Sequence, residues 1–333
     1  MAIPTVQAAV VASETGGPEV MQYRTDVPVP EPKFGEVLIK NTVSSINYVD
    51  TYFRTGFYPS TKPEILGREG AGVVVALGPD TEQYDIHIGD RVLWLGTSGY
   101  AQYTVTPALK TLKLPDAVSD EIAASCGLAG LTALTLVEES YKVEANDWVM
   151  LHAGAGGVGI LLTQVLKDTG AGVIATAGGP EKVALVKALG ADHVIDYRSE
   201  EGKDWPKLVR EITGGRGVDV VYDSVAKDTW EGSLDVVKRK GTVVWYGNAS
   251  GPVPPLTLHR LALKCIKIVR PTLLGYLETR EEFDYYGSRL LSYLASGKLK
   301  PRIHKIYPLS EVQQAHIVSP SFDSNVETSG FKY

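Results

Sequence analysis

Three glycines near the middle of the chain, Gly154, Gly156 and Gly159, have the G-x-G-x-x-G spacing that can hold phosphate groups. They follow the apolar run Trp148–Ala153 and open a helical pattern. In such a turn the first glycine permits the tight bend, the second lets backbone N–H groups approach a pyrophosphate, and the third lets the helix pack against the strand. The positive end of the helix dipole then faces the phosphates. The residues predicted to form this dinucleotide site are Gly154, Gly156, Gly157, Val158 and Gly159.

The end of the next strand indicates which dinucleotide binds. NAD sites usually carry an Asp or Glu about 20 residues beyond the glycines, where it bonds the ribose 2′-hydroxyl. Here the strand ends in Ala177-Gly178-Gly179, and no acid stands at its tip. The uncharged tip leaves room for a 2′-phosphate beside Lys182 and Tyr197, although Lys182 taken alone would be a solvated lysine of a first helical turn. We therefore predict NADPH rather than NADH, with these two side chains and Gly178 at the 2′-phosphate.

The elements that position this turn alternate between strand and helix. Gly170, Gly190 and Gly214 stand where helix C-caps belong. Continuous apolar strands that alternate with helices imply a doubly wound parallel sheet of the α/β class. The predicted strands are Trp148–Ala153, Val173–Thr176, His193–Asp196, Val218–Tyr222, Thr242–Tyr246 and Ile266–Val269, and the predicted helices are Val158–Thr169, Glu181–Leu189, Trp205–Thr213 and Thr229–Lys238.

The segment before this unit has a different sequence pattern, in which short apolar runs lie between Gly, Pro and Asp residues. It is predicted to be β-rich. The tail after Pro271 contains one convincing helix, Arg280–Ser296. The predicted strands of the first part are Val6–Val11, Glu36–Val43, Gly70–Leu77 and Arg91–Leu95.

Composition limits the class of protein. With 333 residues, 44% hydrophobic and 22% charged, the chain is neither a disordered chain nor a disulfide scaffold. A net charge of −6 provides no overall field that attracts nucleic acid or an anionic membrane. The two cysteines, of which Cys126 is predicted to be a small buried residue, suit a reducing compartment. Because the N-terminus shows no signal-peptide pattern, we predict a cytoplasmic protein. The apolar stretch Trp148–Leu166 is predicted to be strand, turn and helix rather than a membrane span.

Two further motifs resemble the medium-chain dehydrogenase/reductase superfamily. The segment Gly67-Arg68-Glu69-Gly70-Ala71-Gly72 resembles its G-H-E-x-x-G signature, and Gly89-Asp90-Arg91-Val92 matches its G-D-R/H-V. The resemblance implies a β-rich, GroES-like catalytic domain from residues 1–131 and 271–333, and a Rossmann domain from residues 132–270.

The zinc alcohol dehydrogenases of this superfamily bind their metal through a Cys, the signature His and a further Cys or acid. The corresponding positions here are Asn47 and Arg68, and the lobe with four close cysteines is missing. A catalytic zinc site needs three protein ligands, and the six histidines stand singly in the sequence. We therefore expect no bound metal.

The closer resemblance is to the zinc-free, zeta-crystallin-like quinone oxidoreductases, through segments 47–59, 221–225, 246–251 and 269–272. It implies an NADPH-dependent quinone reductase with the nicotinamide in the cleft between the domains. It also implies a homodimer formed through the edge of the Rossmann sheet near Ile266–Leu277. The residues placed along the cofactor by this resemblance are Asn47, Thr132, Ser224, Tyr246, Gly247, Val269 and Arg270.

Hydride transfer to a quinone needs proximity, a dry cleft and a donor for the developing oxyanion, but no covalent nucleophile. We predict that Tyr52 and Tyr58 act as donors or as stacking walls, and that Asn47 polarises a carbonyl; either tyrosine could equally be an ordinary packed aromatic. Tyr58 and Lys62 have the Y-x-x-x-K spacing of short-chain dehydrogenases. That pair requires a helix, which Pro59 opposes, so the match is interpreted as coincidence.

Two alternative functions remain open at this point. The same cleft would serve reduction of the C=C bond of an enal or enone. The basic segments Lys238-Arg239-Lys240 and 260–270 would also suit an NADPH-modulated protein that binds single-stranded nucleic acid. The simpler interpretation of the first segment is that it ends the helix Thr229–Lys238, where basic residues suit the helix dipole.

The C-terminus departs from the family pattern. Family members usually end in R-K-T-x-G-K followed by an apolar strand, and residues 319–333 contain neither. We therefore expect neither a C-terminal cofactor contact nor a final strand closing the first domain.

Overall fold

The structure is a computed structural model of the chain, and it describes residues 2–318 and 328–333. Packing divides the described residues into two compact units. The first unit contains residues 2–131, 277–318 and 328–333, and the second contains residues 132–276. The domain boundaries predicted above, 1–131 with 271–333 and 132–270, remain a prediction.

Strands and helices are numbered in chain order. The strands are β1 (Val6–Ala12), β2 (Met21–Pro28), β3 (Glu36–Ile46), β4 (Glu64–Ile65), β5 (Glu69–Leu77), β6 (Arg91–Leu95), β7 (Tyr103–Pro107), β8 (Thr111–Lys113), β9 (Trp148–Leu151), β10 (Gly172–Ala177), β11 (His193–Asp196), β12 (Val218–Asp223), β13 (Val237–Trp245), β14 (Lys267–Val269), β15 (Ile303–Pro308) and β16 (Thr328–Lys332). The helices are α1 (Tyr48–Thr55), α2 (Asp120–Thr135), α3 (Gly157–Asp168), α4 (Pro180–Ala188), α5 (Trp205–Ile212), α6 (Trp230–Val236), α7 (His259–Ala262), α8 (Leu273–Tyr276), α9 (Arg280–Ala295) and α10 (Val312–Val318).

The first unit is β-rich, as predicted. Its larger sheet has seven strands in the order β15-β16-β3-β5-β6-β8, with β7 also paired to β3, and its smaller sheet has the order β2-β1-β4. Alternate residues of β3 and β5 point inward, so that Val37, Ile39 and Val74 are completely buried with Trp94 in one core cluster. Strand β3 is the centre of this unit, since it carries β5, β7 and β16.

The second unit contains one sheet of six strands in the order β11-β10-β9-β12-β13-β14, and every neighbouring pair is parallel. The predicted parallel sheet with alternating helices is therefore confirmed. Helices α3 and α4 stop where Gly170 and Gly190 take positive φ, because a left-handed residue ends the helical hydrogen-bond pattern. Strand β9 has β10 on one side and β12 on the other, so the chain reverses its winding there; ligands bind at the carboxyl ends beside such a switch point.

Helix α2 was not predicted from the sequence. Its residues are apolar on almost every side, and without a polar face there is no 3.6-residue period to recognise. Within the described residues, Asp120–Ser140 is the single helical stretch long and apolar enough to cross a membrane, and 72% of its apolar 18-residue window is buried, as in the core helix of a globular protein. The stretch Trp148–Leu166 is strand, turn and helix, as predicted.

Two expectations were wrong. Strand β16 exists, parallel to β15 and antiparallel to β3. It contains one large buried residue, Phe331, so its partners rather than its own hydrophobic pattern define it. The predicted helix Thr229–Lys238 ends at Val236, and Lys238 lies on β13, where it pairs with the buried Asp219 instead of capping a helix. The predicted lack of a C-terminal cofactor contact concerns residues 319–333, of which 319–327 lie outside the described residues, and it stays a prediction.

Candidate active site

The glycine turn connects β9 to α3 in the second unit. Gly156 is the N-cap of α3, and the turn is tied to the neighbouring strand by the bond from Gly154 N–H to the Thr176 carbonyl, at 2.9 Å. A Cβ on Gly159 would overlap the carbonyl oxygen of Ala153, so only glycine lets the helix start this close to the strand. The first-turn N–H groups of α3 lack carbonyl partners within the helix. Their position at the carboxyl end of β9 fits a pyrophosphate.

A row of buried, hydrogen-bonded side chains fixes the strand ends beneath this turn. His152 Nδ1 lies 3.2 Å from Thr176 Oγ1, and its Nε2 lies 3.3 Å from Ser233 Oγ. Ser233 donates to Asp223 Oδ2 at 2.9 Å, so His152 must donate through Nε2 and accept through Nδ1. Burial lowers the pKa of His152, which keeps the ring neutral. In a catalytic triad the serine hydroxyl donates to the histidine, which acts as its base. Here the Ser233 hydroxyl donates to the Asp223 carboxylate instead, so this serine is not activated as a nucleophile. These hydrogen bonds therefore hold the ends of β9, β10 and β12 together.

Gly178 is in a cradle that suits a 2′-phosphate. Ala177 on β10 pairs with Asp196 on β11, which brings the residues after each strand side by side. A Cβ on Gly178 would stand 2.5 Å from Tyr197 Oη and 3.0 Å from Arg198 Nε. The Asp196 carboxylate faces the backbone instead, accepting from Gly179 N–H at 2.9 Å and from Arg198 N–H at 3.0 Å.

Lys182 lies in the first turn of α4, directly after the Gly178–Gly179 turn, and it is 9% exposed. The structure therefore brings Gly178 and Tyr197 together as predicted, and it adds Arg198, which the sequence reasoning missed. Arg198 could have been predicted, because the parallel register that brings Tyr197 next to Gly178 also brings the residue after Tyr197 close to it.

The residues predicted to follow the cofactor lie mostly at the carboxyl ends of β12, β13 and β14. Gly247 packs so closely on Ser224 that a Cβ would come within 2.7 Å of its carbonyl oxygen. Burial raises the pKa of Tyr246, whose hydroxyl bonds Ser224. In the orientation that satisfies both ends of its amide, Asn248 accepts from Arg270 Nη2 at 3.0 Å. Val269 pairs with Val244 inside the sheet, and Thr132 lies on α2.

The predicted catalytic tyrosines belong to an aromatic cluster in the first unit. The ring of Tyr52 contacts those of Tyr48, Phe57 and Tyr58 with centroid separations of 5.2, 5.2 and 5.0 Å. Helix α1 ends at Gly56, which takes φ +80°, so Tyr58 and Lys62 share no helix. The Y-x-x-x-K match is a coincidence, as expected.

Arg68 and Asn47, which stand at the two zinc-ligand positions, each bond a carboxylate. Arg68 donates to Glu64 at 2.5 Å and stacks 3.6 Å from the centre of the Phe53 ring. Asn47 donates through Nδ2 to Glu69 Oε1 at 2.7 Å. In the part of the chain that the structure describes, no three His, Cys, Asp or Glu side chains come together as a metal site would require.

Two buried acids beside Asn47 were missed by the sequence reasoning, Glu69 and Asp50. Burial raises the pKa of Glu69 to about 8, against the lowering effect of its bonds to Asn47 and to the Leu128 N–H. Burial likewise raises the pKa of Asp50 to about 6, although its Oδ2 accepts from the Asn47 N–H and from Tyr100 Oη, both at 2.8 Å. Glu69 belongs to the signature segment itself, so its position was visible even though its partners were not.

Both units of the chain are similar to known oxidoreductases. An alcohol dehydrogenase GroES-like domain model matches residues 33–116, and a zinc-binding dehydrogenase model matches residues 157–290. A probable quinone oxidoreductase of Schizosaccharomyces pombe is 42% identical over 308 residues, which is 92% of each chain. The chain belongs to the quinone oxidoreductases of the medium-chain dehydrogenase/reductase superfamily. The resemblance stated from the motifs is thus confirmed, and so is the fold class of a Rossmann unit with a GroES-like unit.

Two further relatives bear on the chemistry. The crystal structure of Escherichia coli quinone oxidoreductase complexed with NADPH superposes with a TM-score of 0.92 at 37% identity, and covers 98% of this chain and 100% of that one. A 2-haloacrylate reductase of a Burkholderia species is 36% identical over 321 residues, 93% of this chain and 94% of its own.

Proposed function

We propose that the protein is an NADPH-dependent quinone reductase that needs no metal ion. The observation that carries the proposal is the cradle at Gly178, which follows β10 at the place where an NAD enzyme would present an acid. Here that residue is a glycine, and Tyr197 and Arg198 lie beside it. The likeness to a quinone oxidoreductase crystallised with NADPH supports both the cofactor and the substrate class.

The second unit would hold the cofactor. The first-turn N–H groups of α3 bind the pyrophosphate, while Lys182, Tyr197 and Arg198 bind the 2′-phosphate. The remaining contacts come from residues at the carboxyl ends of the strands and from α2. Those residues are Thr132, Ser224, Tyr246, Gly247, Val269 and Arg270.

The first unit would supply the groups that act on the quinone. When bound, NADPH supplies a hydride, and reduction of a quinone to a hydroquinone takes up that hydride together with one proton. Tyr52 is a partly exposed residue, and its hydroxyl donates to the quinone oxygen as negative charge develops there. Tyr58 contacts the Tyr52 ring and limits its movement. Asn47 orients the carbonyl group, and none of these residues forms a covalent bond with the substrate.

The test is cofactor oxidation, followed by near-ultraviolet absorbance, with chelator-treated protein and an ortho-quinone or a para-quinone as acceptor. NADPH should be consumed in a quinone-dependent manner, and NADH much more slowly. Absence of quinone-dependent NADPH oxidation would refute the proposal. A loss of activity on chelation that zinc restores would refute the metal-free part alone.

A second candidate activity is reduction of an activated C=C bond, which the likeness to the 2-haloacrylate reductase favours. Both reactions use a hydride, a proton and a polarised carbonyl, so the same side chains would serve them. A comparison of kcat/KM for a quinone and for an enal under identical conditions separates the two. A higher value for the enal would reassign the main activity.

The same reasoning leads us to a homodimer and to a cytoplasmic location. Strand β14 is the edge of the six-stranded sheet, and Leu263 just before it is 88% exposed. An uncovered edge strand favours pairing with a second copy. Sedimentation equilibrium should give twice the chain mass, and a monomer at micromolar concentration would contradict the dimer. Both cysteines are free thiols, which suits a reducing compartment.

A further inference from the structure

Glu69 is a buried carboxyl group whose two oxygens accept hydrogen bonds from two other parts of the first unit. It is 1% exposed and begins strand β5. Its Oε1 accepts from Asn47 Nδ2 at 2.7 Å, and its Oε2 accepts from the Leu128 N–H at 2.6 Å. Neither of these donors is a cation. The carboxyl group therefore depends on the exact placement of neutral N–H groups.

Helix α2 is shaped to reach this carboxyl group. The Leu128 N–H and the Ala124 carbonyl are the two groups that an α-helix pairs with each other. Here the N–H donates to Glu69, and the carbonyl accepts from Ser45 Oγ at the end of β3. A Cβ on Gly127 would stand 2.5 Å from Glu69 Oε2, so the helix approaches through a glycine. Strand β3, strand β5 and helix α2 thus hold Glu69 rigidly.

We propose that Glu69 is a positioning residue that holds the Asn47 amide so that its second Nδ2 hydrogen faces the quinone. A carboxylate only accepts hydrogen bonds, so it holds one Nδ2 hydrogen of the amide, while the amide oxygen faces the Asp50 N–H in the capping box that begins α1. A carboxylic acid carries a proton on one oxygen, and that oxygen would meet the N–H donor of Asn47 or of Leu128, so protonation weakens the hold on the amide. This inference rests on the proposed function, since it assigns a role to the amide in that reaction.

The groups around Glu69 place the change between these two states near neutral pH. Burial raises the pKa of Glu69 to about 8, and the Asp50 carboxyl on α1 acts in the same direction. On α2 the buried Cys126 has its pKa raised to about 12, so it remains a neutral thiol. The guanidinium of the adjacent Arg68 is paired with Glu64. The hold of Glu69 on the Asn47 amide is therefore expected to change over the pH range in which a quinone reductase operates.

The kinetic test is a double-mutant cycle with E69Q and N47A, measured with NADPH and a quinone. The comparison is made at pH 9, where Glu69 is a carboxylate. E69Q keeps the size of the side chain, but its NH₂ group would meet the N–H donor of Asn47 or of Leu128, so it cannot hold both. We expect kcat to fall roughly 10- to 100-fold in E69Q, as for a reacting group misplaced by about 1 Å, with KM for NADPH nearly unchanged. In the N47A background, E69Q should change kcat less than about twofold, because a residue acting through Asn47 has nothing left to position.

A second variant and a control guard against a general loss of structure. G127A pushes on Glu69 from the other side while leaving both polar side chains in place, and it should lower kcat as E69Q does. D120N removes a different carboxylate, which ties Arg91 to the start of α2 at 2.6 Å, and it should leave kcat unchanged.

The readout without cofactor is the side-chain NH₂ signal of Asn47 in an NMR spectrum, identified by its disappearance in N47A. In the wild-type protein this signal should shift with pH around a midpoint near 8, as the pKa of Glu69 requires. It should not titrate in this range in E69Q.

The outcomes separate this proposal from the proposed function. If the wild-type protein reduces quinones and E69Q keeps kcat within twofold, the positioning role is wrong. Equal losses from E69Q with and without Asn47 would overturn it as well. If the wild-type protein fails to turn over, the proposed function is refuted, and an Asn47 signal that responds identically to pH in E69Q would overturn the contact itself.

Discussion

The affinity for NADPH relative to NADH should depend mainly on Lys182. This lysine follows the Gly178–Gly179 turn and is 9% exposed, whereas Tyr197 is 44% exposed. A hydrogen bond to a charged group contributes about 1.5–3 kcal/mol, with the larger values for partners removed from water. Because Lys182 is buried, its hydrogen bond to the 2′-phosphate should contribute a free energy near the upper end of this range. We expect K182A to weaken NADPH binding about 100-fold, since about 1.4 kcal/mol corresponds to a tenfold change.

NADH provides an internal reference, because it lacks the 2′-phosphate but makes the remaining contacts. Its dissociation constant should change less than about threefold in K182A, so the preference for NADPH should fall by nearly the whole effect. R198A should show the same pattern with about a tenfold loss, because the exposed Arg198 remains largely hydrated. Titration calorimetry with both dinucleotides measures all of these constants.

The matched control is K187A, which removes an exposed lysine from the last turn of the same helix. It should leave both affinities unchanged. The reasoning is refuted if K182A weakens NADPH and NADH equally, since that result would place the lysine at the pyrophosphate or make its role structural. It is refuted as well if K187A has the same effect as K182A.

Three other substitutions test the structure more broadly. G159A should lower the free energy of unfolding by roughly 1–3 kcal/mol in chemical denaturation, because the added methyl group overlaps the Ala153 carbonyl oxygen; an unchanged midpoint would contradict this packing. The pKa of Glu69 is about 8 in the folded protein and about 4.5 in the unfolded chain, so the wild-type protein should lose roughly 1–4 kcal/mol relative to E69Q as the pH rises from 5 to 9; a constant difference in thermal midpoint would be inconsistent with a raised pKa. H316F should cost about 1–3 kcal/mol, because it leaves Arg54 and Tyr100 without their bonds at 3.1 Å in a buried position; a variant as stable as the wild type would show that these bonds contribute nothing.

Much of the second unit could be predicted from the sequence because its signals are local. The strand, the glycine turn and the helix from residue 148 to residue 168 follow each other along the chain, and each has a sequence pattern that can be recognised within a few residues. Arg198 was missed because it reaches Gly178 only through the pairing of β10 with β11. Helix α2 was missed because burial on nearly every side removes the period that distinguishes a helix.

The hydrogen bond between Asn47 and Glu69 in the first unit could not be predicted from the sequence, for a different reason. Asn47 and Glu69 are brought together by the antiparallel pairing of β3 with β5, whose register includes two irregularities. A bulge shifts every later partner by a residue, and nothing in the two segments indicates where it occurs. Strand β16 presents the same difficulty, since its partners lie far away in the chain and a single buried Phe331 gives no alternating pattern.

The two halves of the proposed reaction should therefore respond differently to pH. The glycine turn presents backbone N–H groups to the pyrophosphate, and these groups do not titrate, so their contribution to cofactor binding should be constant across the neutral range. The quinone is oriented by an amide whose own orientation depends on Glu69, a carboxyl group that bonds two neutral N–H donors and has a pKa of about 8. Arg68, the neighbouring residue, pairs with Glu64 and not with Glu69. A pH series should then change kcat with a midpoint near 8 while the affinity for NADPH stays nearly constant, because only the first effect passes through a titrating group.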